Sequence, residues 1–293
     1  MKTAWKLNAC WLAFVVALLG YGLLAQATHL PQIAAPDRTP MVIQFLAQLV
    51  GGAILVTGLY PLARGLTGTA TLRANVVAGF LFLVLGINGV IETRAFSYLL
   101  DGKVVSAVVF YAMLSILVGA GMGLSFGAPG TAAGLAHRGW AAATGRGVVA
   151  WLAWPVIYFA FGLLVAPIVL PYYRAGVAAL RIPPMSKVIS IQLVRSLVFL
   201  AASLPFLALW NGSRRELWLA LGLAHAVVVG IYGLAGATFL PWVLRITHSG
   251  EIAADSFVYA GLLVLLFAAP AAHAETNTAN SPEAHPLPLK SGT

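Results

Sequence analysis

The stretch VVSAVVFYAMLSILVGAGMGLSF, residues 104–126, runs for 23 residues without a charged side chain. A helix rises about 1.5 Å per residue and the hydrocarbon core of a bilayer is about 30 Å thick, so about 20 apolar residues suffice to cross it. A surface helix of a soluble domain shows a polar face, and this stretch has none. It reads as a transmembrane helix. Further windows of this kind occupy residues 8–28, 41–62, 74–91, 147–171, 188–210, 217–244 and 252–270, joined by connections rich in Gly, Pro, Ser, Thr and Arg. The expected fold is all-α, a polytopic integral membrane bundle of about eight transmembrane helices. It forms a single domain over residues 1–270, followed by a disordered polar tail over 271–293.

Composition agrees. Sixty per cent of the residues are hydrophobic and 9% are charged, with a mean hydropathy of +0.91, whereas a soluble domain carries about a quarter charged residues. Seventeen Lys and Arg against 8 acids give a net charge of +9. The basic residues are scattered singly between apolar segments, which fits loops against anionic headgroups and argues against a nucleic-acid partner. The single cysteine, Cys10, has no internal disulfide partner, and the apolar run follows it, unlike in a lipoprotein signal. Trp11, Trp151, Trp154, Trp210, Trp218 and Trp242 fall near window ends, where amphipathic rings prefer the interface.

The first window also fits a secretory signal, with Lys2 and Lys6 ahead of it and Ala25-Gln26-Ala27 as a cleavage site, which would leave seven spans. A retained span is the preferred reading, because no soluble domain follows that would need export. Counting Lys and Arg by side, the segments sharing the N-terminal face hold Lys2, Lys6, Arg64, Arg73, Arg138, Arg146, Arg214, Arg215 and Lys290. The opposite loops hold Arg38, Arg94, Lys103, Arg174, Arg181, Lys187 and Arg245. This bias puts the N-terminus in the cytoplasm, and the expected location is a bacterial-type inner membrane.

The ionisable groups near or within the spans fall on one side. Glu92 and Arg94 end the third span, Tyr172, Tyr173 and Arg174 end the fifth, and Arg195 lies about two turns into the sixth. His248, Glu251 and Asp255 lie between the seventh and eighth. All belong to odd-numbered junctions, as do Asp37 and Asp101. Ionisable groups at membrane depth turn inward and find partners, so a shared pocket is expected from Glu92, Arg195, His248, Glu251, Asp255 and Tyr173. Asn88, one turn before Glu92, extends it. A helix starting near Thr247 would place His248, Glu251 and Asp255 within about 60° of arc. An N-cap at Ser249 would exclude the histidine and leave Glu251 in the first turn.

Three functions compete. In a structural reading Arg195 pairs with Glu251 or Asp255 and locks the bundle. In a transport reading the carboxylates accept protons or cations, and Arg195 holds a substrate anion or releases a carboxylate. In an enzymatic reading His248, Glu251 and Asp255 ligate a divalent metal acting on a lipid-soluble substrate, with His29 as the remaining same-side histidine. The small-solute or ion transporter is the preferred function, with no cofactor. A non-catalytic subunit needing a partner, or an oligomer, is a further alternative.

Pro155, Pro167, Pro171, Pro183, Pro184 and Pro205 suggest broken, cavity-lining helices in the fifth and sixth spans. Gly119, Gly123 and Gly127, and Gly222, Ala226 and Gly230, form grooves for a neighbouring backbone. His225, mid-span and without a facing histidine, reads as a packing residue. Walker A, dinucleotide, HExxH, CxxC and GxSxG motifs are absent. IETRAFSY at 91–98 faintly echoes EIAADSFVY at 251–259, which hints at a four-plus-four duplication.

Overall fold

The computed structural model describes residues 2–31, 39–130, 135 and 140–268. The tail expected over 271–293, and Asp37, Arg38 and Arg138, lie outside the described residues. Among the described residues, eight helices are long and apolar enough to span a membrane: α1 Lys2–Thr28, α2 Met41–Arg64, α3 Ala70–Phe96, α4 Val104–Ser125, α5 Trp140–Arg174, α6 Met185–Leu209, α7 Arg214–Gly236 and α8 Trp242–Phe267. The protein is an all-α, multi-pass membrane bundle.

Helix starts follow local chemistry. Thr69 accepts a bond from the Leu72 N–H to begin α3, and Ser213 with Glu216 forms a reciprocal capping box on α7. Pro40, Pro184 and Pro241 hold extended backbone immediately before α2, α6 and α8. Pro241 corrects the expected boundary of the seventh span. The run from Ala237 to Leu244 is apolar, so hydropathy carries the window through it. Proline has no N–H to continue the ladder, so α7 ends at Gly236 and α8 starts at Trp242. The eighth helix thus begins ten residues before its expected window at 252, and neither a start near Thr247 nor an N-cap at Ser249 is observed.

The connections sort onto two faces. Tyr98 N–H donates to Ala179 O at 3.1 Å and Arg181 N–H to Phe96 O at 2.9 Å, tying the third junction to the fifth. On the opposite face, Thr67 N–H donates to Leu209 O, Asn211 N–H to Gly65 O and Ala128 N–H to Leu66 O, joining the second, fourth and sixth junctions. α7 is the central helix, with 61% of its most apolar stretch buried, whereas α1 and α5 are peripheral at 17%. Leu23, Leu164 and Leu265 are exposed, where a bilayer supplies the apolar surroundings they need. The core gathers Leu55, Leu59, Phe80, Phe206, Leu221 and Tyr259.

The fifth and sixth spans are not broken. α5 continues through Pro155, Pro167 and Pro171, and α6 through Pro205. One proline removes a single donor, and the remaining ladder holds the helix in an apolar medium. The distortions lie elsewhere, as π-helical turns at Leu81–Ile87 in α3, Ser115–Gly119 in α4 and Val227–Ile231 in α7. An extra residue in a turn rotates everything after it by about 100°. In α3 the rotated segment carries Asn88 and Glu92.

The α4 glycines behave as expected. A Cβ on Gly119 would lie 2.4 Å from the Ala78 Cα, and one on Gly123 would lie 2.4 Å from the Ala74 Cα. Gly222 and Gly230 accept the side chains of Phe257 and Ile252 from α8, not a backbone. The echo at 251–259 falls inside α8, while 91–98 straddles the end of α3, so the two do not occupy equivalent places in a repeat.

Several of the cations counted as loop charge are bonded to the backbone carbonyls of helix ends. Arg73, buried, donates to the carbonyls of Gly68, Gly123, Phe126 and Ala128 around the end of α4. Arg181 bonds Ala95 O and Arg94 O at the end of α3, and Arg245 bonds Leu234 O and Ala235 O at the end of α7. Arg214 reaches Ala268 O, and Lys6 reaches Ser125 O. The last carbonyls of a helix lack intrahelical donors and carry the negative end of its dipole. The cost of leaving them unmet is higher at membrane depth. Arg73→Met is expected to lower the unfolding free energy by about 2 kcal/mol, read from denaturant unfolding in detergent. An unchanged midpoint would show that water replaces the guanidinium.

Candidate functional site

Sequence places Arg195 on α6 and Glu92 on α3, and the bundle presses them together. The guanidinium, 2% exposed, donates from Nη2 to Glu92 Oε2 at 3.0 Å. It donates from Nε to Asn88 Oδ1 at 2.7 Å and from Nη1 to Gln192 Oε1 at 3.3 Å. The rings of Trp154, Tyr158 and Phe199 surround it, each centroid within 5.8 Å. The expected pairing with Glu251 or Asp255 is therefore not observed. The π turn in α3 brings Glu92 and Asn88 to the arginine first, and Asn88 Nδ2 also donates to Val84 O at 3.2 Å.

On α8, His248, Glu251 and Asp255 share one face, since the helix is already formed at Trp242. His248 Nδ1 lies 2.7 Å from Glu251 Oε2, and its Nε2 lies 3.4 Å from the Tyr173 hydroxyl at the end of α5. One ring nitrogen faces the carboxylate and the other the phenol. A chain thus runs from Tyr173 through His248 to Glu251. A small residue, Gly162 of α5, faces Glu251; a Cβ there would lie 3.4 Å from Oε1.

Asp255 lies deeper. It follows Trp242 by 13 residues in a helix of 26, about halfway along and about 20 Å from its start. The early start of α8 thus carries the lower part of the stripe from the interface, where sequence places it, to mid-bundle. Asp255 is 3% exposed, and its Oδ1 has no hydrogen-bond partner among the described residues. Glu251, Arg195 and Glu92 are its charged neighbours.

One cavity of about 780 Å³ has Glu92, Tyr173, Arg195, His248, Glu251 and Asp255 in its wall. It reaches the odd-numbered face through Leu100, Ile182 and Phe239. Beyond Asp255 it meets the packed core, where Tyr259 is fully buried. The sequence reading missed Gln192, Trp154 and Tyr158. Gln192 was detectable, being one turn before Arg195, and Trp154, Tyr158 and Gly162 repeat every four residues along α5. Trp154 is buried mid-helix and donates to Gln192 Oε1 at 3.1 Å, so it is not the interfacial anchor expected.

His225 stands apart from the cavity wall. It stacks on Phe80 at 5.3 Å, and its Nε2 lies 3.2 Å from Ser203 Oγ. The serine hydrogen is committed to Phe199 O at 2.7 Å, so the imidazole donates. His29 is exposed after α1 and is not part of the cavity wall. Among the described residues, no group of three or more His, Cys, Asp or Glu side chains is placed to hold a metal ion. The ligand set His248, Glu251 and Asp255 is aligned on one helix instead, with the imidazole already bonded to Glu251. Comparisons with protein families, with curated proteins and with solved structures return no match for this chain.

Proposed function

We propose that this protein is a small-solute or ion transporter of the permease type, and that the cavity carrying Glu92 of α3, Tyr173 of α5, Arg195 of α6 and Asp255 of α8 is its substrate and proton pocket. The observation that carries this reading is Asp255, a cavity-lining residue halfway through the bundle whose buried carboxyl has an unpartnered oxygen. A carboxylate at that depth is costly unless a proton or a ligand neutralises it. A structural ion pair would use that oxygen, as Arg195 uses Glu92. The cavity is lined by residues of the odd-numbered junctions and does not include the packed core at Tyr259, which fits a carrier in one of its two states. With the N-terminus cytoplasmic in a bacterial inner membrane, the odd-numbered face is the external one.

Purified protein in proteoliposomes, challenged with a panel of amines, amino acids, carboxylates and inorganic ions, is expected to give solute-dependent currents or proton movements that Asp255→Asn abolishes. Because Oδ1 makes no hydrogen bond, the same substitution removes a buried ionisable group without removing a hydrogen bond at that oxygen. Stability is expected to stay level or rise by about 1 kcal/mol. Abolished transport with retained stability supports the pocket. A destabilised variant whose transport is intact would return Asp255 to a structural role, and a silent wild type across the panel would overturn the transporter.

A further inference from the structure

We infer that the cavity takes an amphipathic organic cation, an ammonium-like charge on an apolar body, and exchanges it for a proton on Asp255. The inference rests on the transporter reading and adds its substrate class. It starts from charge accounting. Arg195 is the cation of the cavity wall nearest the carboxylates, and each of its three nitrogens already donates, to Asn88, Gln192 and Glu92. Two of its five N–H groups remain, but its charge is matched by Glu92 at 3.0 Å, so it offers a substrate a hydrogen bond and no net positive charge. Glu251 is held by His248. What remains is the Asp255 carboxyl, with Oδ1 buried and unpartnered and Glu251 one turn away, so the uncompensated site accepts positive charge.

The walls decide what kind of cation. A hard inorganic cation needs several oxygens around it, and no cluster of three carboxylate or imidazole groups is available among the described residues. The cavity wall is instead largely aromatic and aliphatic, with Trp154, Tyr158, Phe159 and Tyr173 among its residues. Ring faces attract a diffuse organic cation, and the apolar surface takes its body. A neutral lipid would fill the same volume and leave Asp255 unexplained.

Exchange follows from burial. The groups facing Asp255 are Glu251 and Tyr259 on its own helix, Arg195 on α6, Glu92 on α3 and Tyr158 on α5, with His225 of α7 beyond Tyr259. Arg195 is matched by Glu92, so Asp255 is neutralised by a proton or by the substrate, and the two exclude each other. As the cation arrives, the Asp255 O–H bond breaks and the proton is released to water through the cavity toward the odd-numbered face. The carboxylate then pairs with the cation, and the charge of the site is unchanged.

The decisive probes are tetraphenylphosphonium and tetraphenylborate, which share shape and apolar surface and differ in sign. In weakly buffered detergent solution the wild type is expected to bind the phosphonium and release one proton per cation. Binding should tighten by about tenfold per pH unit where Asp255 is protonated, while the borate does not bind. Asp255→Asn should weaken phosphonium binding by about a hundredfold and abolish proton release. Equal binding of both probes, or phosphonium binding without proton release, would overturn the inference, and this comparison needs no variant to fold. Proteoliposome uptake separates the two readings. Phosphonium that binds and releases a proton but is not transported sustains the ligand class and sinks the transporter. Absence of phosphonium binding beside Asp255-dependent currents from another solute sinks the ligand class alone.

Discussion

Glu92→Ala is expected to lower the unfolding free energy by about 3 kcal/mol, and adding Arg195→Met to it recovers part of the loss. The reason lies on the arginine. Arg195 is 2% exposed, and a guanidinium cannot shed its charge by losing a proton. With Glu92 gone, Nη2 loses its carboxylate at 3.0 Å, and two neutral acceptors, Asn88 and Gln192, are left to hold a full charge. Removing both members leaves only neutral groups to satisfy. Denaturant unfolding in detergent of the wild type, the two single variants and the double variant gives the coupling directly. A double variant that loses the sum of the single losses would show that the ion pair does not hold α3 against α6.

Gly123→Ala is expected to cost about 3 kcal/mol or to prevent assembly, although alanine is the better helix former by about 1 kcal/mol. Its Cβ would lie 2.4 Å from the Ala74 Cα and 2.5 Å from the Arg73 carbonyl carbon. These are backbone atoms of α3, so relief means moving one whole helix away from the other, and it also loosens the Arg73 bonds that close α4. Gly222→Ala is the matched control. There the added methyl meets the Phe257 ring at 2.5 Å, a side chain that can rotate aside, and a smaller loss is expected. Equal losses at the two positions, measured by thermal unfolding in detergent, would contradict backbone contact as the determinant.

The contrast between these glycines shows how far pattern alone reaches. The four-residue repeat was visible in both spans, and it marks close approach in both. Whether the neighbour supplies backbone or side chain depends on which helix lies opposite, and nothing local encodes that. The prolines teach the same lesson. Pro241 ended a helix inside an apolar run, while Pro155, Pro167 and Pro205 passed through intact helices. The difference lies in whether the surrounding bundle continues to support the ladder.

What the sequence determined by itself was the fold class and which junctions share a side. Apolar length fixes the number of crossings, and crossing parity fixes which junctions share a side, so Glu92, Tyr173, Arg195, His248, Glu251 and Asp255 had to lie toward one face. Tertiary structure alone decided the pairing and the depth. A π turn in α3 rotated Glu92 onto Arg195, the early start of α8 carried Asp255 to mid-bundle, and basic side chains counted as loop charge closed helix ends. Those outcomes depend on helix phase and on contacts between segments far apart in the chain. Hydropathy reports whether a residue prefers lipid to water, and it carries no information about which neighbour that residue meets.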